Sequence, residues 1–186
     1  LSTYQVGGSV GSAFTKAALL SAFLSFIAVI IYLAFRFEFL YGVAAVVAVI
    51  HDVVVAAGLY FLFHQGQLSL TVVAAIMTII GYSLNDTIVI FDRVRETQQE
   101  RRDLPYRKLV NLAINDTLSR TLLTSITTML TAASLLIFGG GVIFDFAIVM
   151  FYGLICGTYS SVFIATAIVA KWHKKIAQDS VVDIQA

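Results

Sequence analysis

Five long apolar stretches constrain this chain more than any other feature of its sequence. They cover residues 17–35, 39–63, 70–91, 121–138 and 142–170. About 20 apolar residues, rising 1.5 Å each, cross the roughly 30 Å hydrocarbon core of a bilayer. The composition agrees, because 12% of the residues are charged, whereas a soluble domain carries about 25%. The sequence therefore predicts an all-α membrane protein built as a bundle of five transmembrane helices.

Basic residues indicate the orientation of this bundle, since they are enriched in cytoplasmic loops. Only Lys16 falls on the opposite side from the others, which are Arg36, Arg93, Arg95, Arg101, Arg102, Arg107, Lys108, Lys171, Lys174 and Lys175. We therefore expect an external N-terminus and a cytoplasmic C-terminus. The chain begins with Leu1 and shows no leader, so an external N-terminus implies a missing upstream span or leader.

The long polar connection between the third and fourth stretches predicts a short amphipathic helix over about residues 105–116. Pro105 suits a first helical turn, and Asp103 is a plausible cap. Leu109, Leu112 and Ala113 then share one face, which suits the cytoplasmic interface of a membrane. A partly disordered polar loop is the alternative.

Asp86 is the principal candidate for function, because it lies inside the apolar stretch 70–91. An ionised carboxylate at the centre of a span costs roughly 3 kcal/mol or more, and such groups usually mark an ion site or a relay. Arg120 begins the next stretch and can reach inward along its stem. The pair predicts a machine that handles protons or ions, unless Arg120 only extends to the lipid headgroups.

Polar residues accompany both members of this pair. Tyr82 and Asn85 lie near Asp86, while Thr124 and Thr127 follow Arg120 on one helix face. If these two polar helix faces lie opposite each other, they could hold a single row of water molecules between them. We call each polar face a stripe. The alternative, which the hydroxyl groups by themselves favour, is that they satisfy the backbone or hold helices together.

His51 and Asp52 lie mid-span in the second stretch. Adjacent residues of a helix point in different directions, so we expect no simple pair between them. Asp52 lies further from the cytoplasmic side of the membrane than Asp86 does. It is either a second binding site for the ion or a structural, hydrogen-bonded carboxylate. Asp145, near the outer end of the last stretch, is a vestibule residue or has no role.

The last stretch carries small residues every fourth position, at Gly153, Gly157 and Ser161. Such a ridge permits close helix packing. The spacing leaves open whether the ridge packs inside the bundle or against another subunit.

Several classes of function lack their sequence signatures. The chain has no phosphate-binding or dinucleotide-binding glycine loop and no His-Glu-x-x-His metal motif. No span offers a catalytic Ser, His and Asp set. Orientation and lipid headgroups explain the basic loop better than nucleic acid does. We therefore expect neither an enzyme nor a nucleic-acid-binding protein, and no metal or cofactor apart from a transported ion.

Long motifs resemble one known family. The run Gly81-Tyr-Ser-Leu-Asn-Asp-Thr-Ile-Val-Ile-Phe-Asp-Arg-Val-Arg-Glu96 resembles the signature of the SecF family of bacterial protein-export membrane subunits. The runs 118–128, 138–141 and 157–161 are similar to its following spans, and 6–11, 36–38 and 51–52 to its earlier part. The resemblance extends to about Lys175.

The resemblance implies a half of a transporter of the resistance-nodulation-division type, without its first span and external domain. Residues 1–12 would end that domain, 13–175 would form the transmembrane domain and 176–186 a cytoplasmic tail. The family's intramembrane carboxylate and arginine carry over to Asp86 and Arg120. Implied partners are SecD, the SecYEG translocon, a preprotein and the lipid bilayer of the bacterial cytoplasmic membrane.

These observations leave three interpretations. The first is an export subunit that uses a proton or sodium gradient. The second is a half-exporter of the same superfamily for a small molecule or a lipid. The third is a scaffold subunit without ion flux, whose polar residues only hold helices together.

Overall fold

Every regular element among the described residues is a helix. The computed structural model describes residues 8–36, 38–64 and 68–173. Its helices are α1 (Gly8–Arg36), α2 (Phe39–His64), α3 (Leu70–Glu100), α4 (Tyr106–Phe138) and α5 (Gly141–His173). Residues 1–7, 37, 65–67 and 174–186, which include most of the predicted external linker and the whole predicted tail, lie outside the described residues.

The helices α2, α3, α4 and α5 are each long and apolar enough to cross a membrane. Helix α1 has 29 residues, contains the first predicted span and includes a shorter apolar segment, Phe23–Leu33. Large apolar side chains such as Phe35, Leu62 and Phe138 are exposed on the bundle surface, as expected where lipid replaces water. The predicted all-α membrane bundle is confirmed.

The predicted amphipathic helix is not a separate element. Helix α4 runs without a break through residues 105–116 and on into the membrane, and helix α3 likewise continues to Glu100. The reason is that no glycine or proline interrupts residues 106–138, so polar residues extend the helix beyond the bilayer. Pro105 marks the start as predicted, but Asp103 does not cap the helix.

The packing of this first part of α4 also differs from that of a surface helix. Leu109 and Ala113 are buried within the bundle, whereas Leu112 is 38% exposed. Two of the three predicted apolar residues therefore bind the helix to the protein itself.

A glycine turn joins α4 to α5. Gly140 has a φ of +64°, a backbone conformation that side chains with a Cβ disfavour. Because of this sharp turn, α4 and α5 return antiparallel and pack along each other.

Helix α3 lies at the centre of the bundle and packs against all four other helices. Two hydrophobic clusters form the core. One contains Val49, Ile90 and Ala165, and the other contains Ala56 and Ile79. Between the two clusters lies a buried polar layer, made of Asp52, Ser83, Asp86, Thr87, Ser125, Ser160 and Ser161.

The small-residue ridge of α5 packs inside the bundle, against α3. A Cβ added to Gly153 would lie 2.3 Å from Ile79 Cδ1, and one added to Gly157 would lie 3.2 Å from Ser83 Cβ. Ser161 is fully buried. The ridge therefore holds α5 close to the helix that carries Asp86.

Candidate ion-coupling site

Asp86 is buried in the polar layer, with 3% of its surface exposed. Helix α3 carries it inward because Ile79, Ser83 and Ile90, at i−7, i−3 and i+4, are buried on the same side of this helix. Ser125 of α4 donates a hydrogen bond to Asp86 Oδ2 at 3.3 Å. A membrane-buried carboxyl group with a protein donor is a group that can bind and release a proton.

A second hydroxyl group extends this contact to α5. Thr158 Oγ1 lies 2.8 Å from Ser125 Oγ and 2.8 Å from the carbonyl oxygen of Leu154. Asp86, Ser125 and Thr158 thus connect α3, α4 and α5. The sequence analysis did not single out Ser125 or Thr158, since a serine or threonine in a span usually bonds its own backbone.

Arg120 does not form an ion pair with Asp86. The ion pairs of the described residues involve other partners, and Arg120 acts on the Asp86 carboxyl group only at longer range. Its exposed side chain lines a cavity of about 540 Å³. The other lining residues are Arg36, Val89, Asp92, Arg93, Arg95, Glu96, Gln99 and Thr117.

Asp86 therefore lies one helical turn below a charged cavity. Val89, which follows Asp86 by three residues, belongs to the cavity lining. One turn is roughly 5 Å, a distance that one rearranged side chain or one water can bridge.

Thr121 occupies the position between the cavity and Asp86. It is 2% exposed, and its hydroxyl oxygen has no hydrogen-bond partner among the described residues. It follows Thr117 of the cavity lining and precedes Ser125 by one turn each on α4. A buried, unpaired hydroxyl group costs about 1–3 kcal/mol, so this position suits a transient partner.

The other predicted residues contribute differently. Tyr82 reaches α4, where its hydroxyl group donates to the carbonyl oxygen of Thr124 at 2.8 Å and lies 2.5 Å from Thr128 Oγ1. Thr124 and Thr127 donate to backbone carbonyl oxygens of their own helix. Asn85 is exposed beside Asp86. The Thr127 hydroxyl group is thus accounted for by its own backbone, whereas Tyr82 connects the polar stripe of α3 to α4.

Asp52 is the most completely hydrogen-bonded carboxylate in the bundle. Ser83 of α3 and Ser160 of α5 each donate to its Oδ2 at 2.6 Å. His51 Nδ1 lies 3.0 Å from its Oδ1. The expectation that His51 and Asp52 would not pair is wrong, because both side chains bend towards each other although their Cβ atoms diverge.

Two exposed ion pairs hold the helices together beyond the apolar core. Arg93 of α3 lies 2.6 Å from Asp116 of α4. Arg36 of α1 lies 2.7 Å from Asp92 of α3. Both pairs sit at the cavity that Arg120 lines, so movement of α3 relative to α4 would change this charged region.

A family model described as "Protein export membrane protein SecD/SecF, C-terminal" matches residues 1–175. The chain belongs to the SecD/SecF family. Helix α3, with Asp86 at its buried face, and the glycine turn after α4 both lie inside the matched region.

Relatives in this family are substantially similar. The protein translocase subunit SecDF of Thermus thermophilus is 43% identical over 181 residues, which are 97% of this chain and 24% of that protein. The protein translocase subunit SecF of Rickettsia typhi is 40% identical over 178 residues, which are 93% of this chain and 58% of that protein. The chain thus spans between a quarter and three-fifths of the length of these SecD/SecF relatives.

The fold agrees with a solved SecD/SecF structure. A crystal structure of SecDF from Thermus thermophilus, described as a translocon-associated membrane protein, matches with a TM-score of 0.86 and 44% identity. The match covers 91% of this chain and 23% of that one. A crystal structure of SecDF in a super-membrane-facing form matches with a TM-score of 0.82 over 96% of this chain and 24% of that chain.

Proposed function

We propose that this chain is the transmembrane part of a SecF-like subunit that uses a proton or sodium gradient to promote preprotein translocation. Membership of the SecD/SecF family supports the export role. The observation that carries the coupling role is Asp86, a carboxyl group that is 3% exposed in a membrane helix. The cavity beside it offers a charged region on the side that the basic residues assign to the cytoplasm.

In this proposal Asp86 is the group that binds the ion, and Arg120 sets its affinity. When Arg120 swings from the cavity towards Asp86, its positive charge favours the carboxylate. When Arg120 points into the cavity, burial favours the neutral, protonated form. One carboxyl group thus acquires two affinities, and movement of α3 against α4 switches between them.

The free energy available is sufficient for such a step. Moving one charge through a membrane potential supplies about 2.3 kcal/mol per 100 mV. That is the scale of the conformational preferences that ligands shift in proteins. A rearrangement of the exposed Arg93–Asp116 pair adds little to the cost of this step, since exposed ion pairs contribute little to stability.

The proposed partners follow from the same assignment. A SecD-type half would complete the bundle, and the SecYEG translocon and the preprotein would be contacted by the assembled machine. We place the protein in the bacterial cytoplasmic membrane with its C-terminus inside. Its work would be transport, without enzymatic chemistry of its own.

The scaffold alternative explains only part of the site. It accounts for Thr127, Thr131 and Ser134, which donate to their own backbone. It does not account for a buried Asp86 that a serine of another helix contacts, because an apolar residue would hold the helices together at lower cost.

The test is preprotein export by the full-length protein with its SecD half, measured with and without an ion gradient. Asp86→Asn keeps the side-chain volume and the contact with Ser125, and removes the titrating group. We expect normal assembly and loss of the gradient-dependent part of export. Asp145→Asn is the matched control, and export by Asp86→Asn at the wild-type rate would refute the coupling role.

A further inference from the structure

The His51–Asp52 pair connects the buried polar layer to the surface of the bundle. The Asp52 side chain is 0% exposed, whereas the His51 side chain is 36% exposed. The His51 ring therefore touches the buried carboxylate through Nδ1, while another edge of the ring lies on the surface of the described bundle. Imidazole has two titrating nitrogens, so such a ring can move a proton from one side to the other.

We propose that the His51–Asp52 pair is a second proton-binding site, which takes up protons and passes them towards Asp86. This inference rests on the proposed coupling role of Asp86. It adds a second ion-binding site, on α2, and identifies the ion that binds there as a proton.

The depth of the two carboxyl groups gives the direction of transfer. Ser83, which contacts Asp52, lies 13 residues into α3 from Leu70, and Asp86 lies three residues further. At 1.5 Å per residue, Asp52 is therefore roughly 5 Å closer to the outer end of α3 than Asp86. A proton entering from outside reaches Asp52 first.

The transfer of a proton from outside to Asp86 takes place in steps that conserve protons and charge. A proton binds His51 at Nε2, and the Nδ1 proton moves to Asp52 Oδ1, which leaves a neutral imidazole and a neutral carboxylic acid. Asp52 then gives its proton, through a water molecule, to the Asp86 carboxylate, which lies three residues beyond Ser83 on α3, and becomes a carboxylate again. Rotation of the ring about its Cβ–Cγ bond then turns Nδ1 away from Asp52, and water gives a proton to Nδ1 and takes the proton from Nε2, which restores the starting tautomer.

The donors around Asp52 suit a group that is ionised for part of the cycle. Ser83 and Ser160 both donate to Oδ2, which compensates for some of the cost of burying the charge. They leave Oδ1 to the imidazole.

The backbone of α5 supplies an independent observation. A π-helical turn, Ser161–Ala165, begins directly after Ser160. Such turns are rare and frequently lie at functional sites. Ser160 and Ser161 are both fully buried, although adjacent residues of a regular α-helix point about 100° apart. The irregular turn thus begins next to the serine that donates to Asp52.

The titratable groups around Asp52 come from each helix that packs against it. His51 is on α2 with Asp52 itself, Asp86 lies three residues beyond Ser83 on α3, and Cys156 of α5 interacts electrostatically with Asp52. Cys156 is half-buried and free. Substituting Cys156 by serine removes its titration from the experiment below.

The experiment is infrared difference spectroscopy between acidic and alkaline pH on the full-length protein in liposomes. An Asp86→Asn, Cys156→Ser background leaves Asp52 as the carboxyl group to be observed in the polar layer. We expect a protonated-carboxyl band that disappears with Asp52→Asn and whose midpoint pH shifts with His51→Gln. Identical spectra with and without Asp52→Asn would overturn the proposal.

A functional arm separates proton binding from simple packing. Ser160→Ala removes a hydrogen bond to Asp52 and keeps the titrating group, whereas Asp52→Asn removes the titrating group and keeps an acceptor oxygen. We expect gradient-dependent export to be lost in Asp52→Asn and largely retained in Ser160→Ala, with normal SecD co-purification in both. Equal losses in both variants would indicate a structural role and contradict the proton site.

The outcomes for the two carboxyl groups are distinguishable. If Asp86→Asn exports normally, the coupling role of Asp86 fails whatever the spectrum of Asp52 shows. If Asp86→Asn is inactive and the Asp52 band is absent, only the second site fails.

Discussion

Individual buried polar residues determine what this bundle can do. Asp52 and Asp86 lie where the two hydrophobic clusters meet. Each has hydroxyl donors from other helices, as buried carboxyl groups require. Thr121 Oγ1 differs from them, since this buried atom, like His64 Nε2, has no hydrogen-bond partner in the described part of the structure. An unsatisfied group at this position, between Asp86 and the charged cavity, indicates a role in ion exchange between the two.

Thr121→Val tests this role. Valine has nearly the same shape and removes the unpaired hydroxyl group, so folding should be unaffected or stabilised by up to about 1 kcal/mol. Gradient-dependent export should nevertheless fall, since an ion that leaves Asp86 for the cavity would no longer meet a hydroxyl group on its path. Thermal unfolding of the purified full-length protein and export by vesicles measure the two effects.

The control for this substitution is Thr131→Val. Thr131 is exposed and donates to its own backbone at Thr127, so its replacement should leave export unchanged. Thr121→Val and Thr131→Val exporting alike would show that Thr121 has no part in the path.

Arg120→Lys should impair export although it keeps the positive charge. Arginine presents a planar, delocalised group that can serve the cavity carboxylates and Asp86 in turn, whereas lysine is a more strongly hydrated point charge. We expect reduced gradient-dependent export with normal assembly, measured against the wild type over a range of salt concentrations. An unchanged rate would mean that the charge at this position is sufficient.

At the scale of helices, the sequence predicted the spans better than their ends. Runs of about 20 apolar residues locate α2, α3, α4 and α5, because a helix of this length crosses the bilayer with all its backbone hydrogen bonds satisfied. The ends of α3 and α4 were missed because polar residues continue a helix once it has left the membrane. Four polar residues that contact the buried carboxyl groups or their partners were also missed, because their contacts depend on how the helices are rotated against each other. These residues are Ser83, Ser125, Thr158 and Ser160.

The close contact between α3 and α5 yields a stability prediction. Gly153→Ala places a Cβ 2.3 Å from Ile79 Cδ1, and relieving such an overlap costs roughly 1–3 kcal/mol. We expect a lower unfolding temperature, restored in part by Ile79→Val. Gly157→Leu should be worse, because its side chain meets Ser83 and Asp52, and it should weaken folding or association with SecD.

Gly58→Ala is the matched control for these glycines. A Cβ at Gly58 meets nothing within 4 Å, and alanine favours a helix over glycine by up to about 1 kcal/mol. Its unfolding temperature should be unchanged or higher. Equal destabilisation by Gly58→Ala and Gly153→Ala would show that the ridge contact is not the cause.

At the scale of the whole molecule, the chain belongs to the SecD/SecF family and spans 24% and 58% of the length of the two relatives described above. Its basic residues predict that the turn between α3 and α4 faces the cytoplasm and that the connection between α2 and α3 faces outside. Single cysteines at Gln98 or Leu104, and at Leu68, in a Cys156→Ser background would report the two sides. Labelling of residues 98–104 from outside the cell would reverse the orientation.

The central claim is that Asp86 carries the ion that drives export, and ion flux tests it most directly. The full-length protein with its SecD half is reconstituted in liposomes that contain a proton-sensitive or a sodium-sensitive dye, and a gradient is applied. We predict gradient-driven flux in the wild type and in Asp145→Asn, and flux at the level of empty liposomes in Asp86→Asn. Flux through Asp86→Asn equal to that of the wild type would contradict the account.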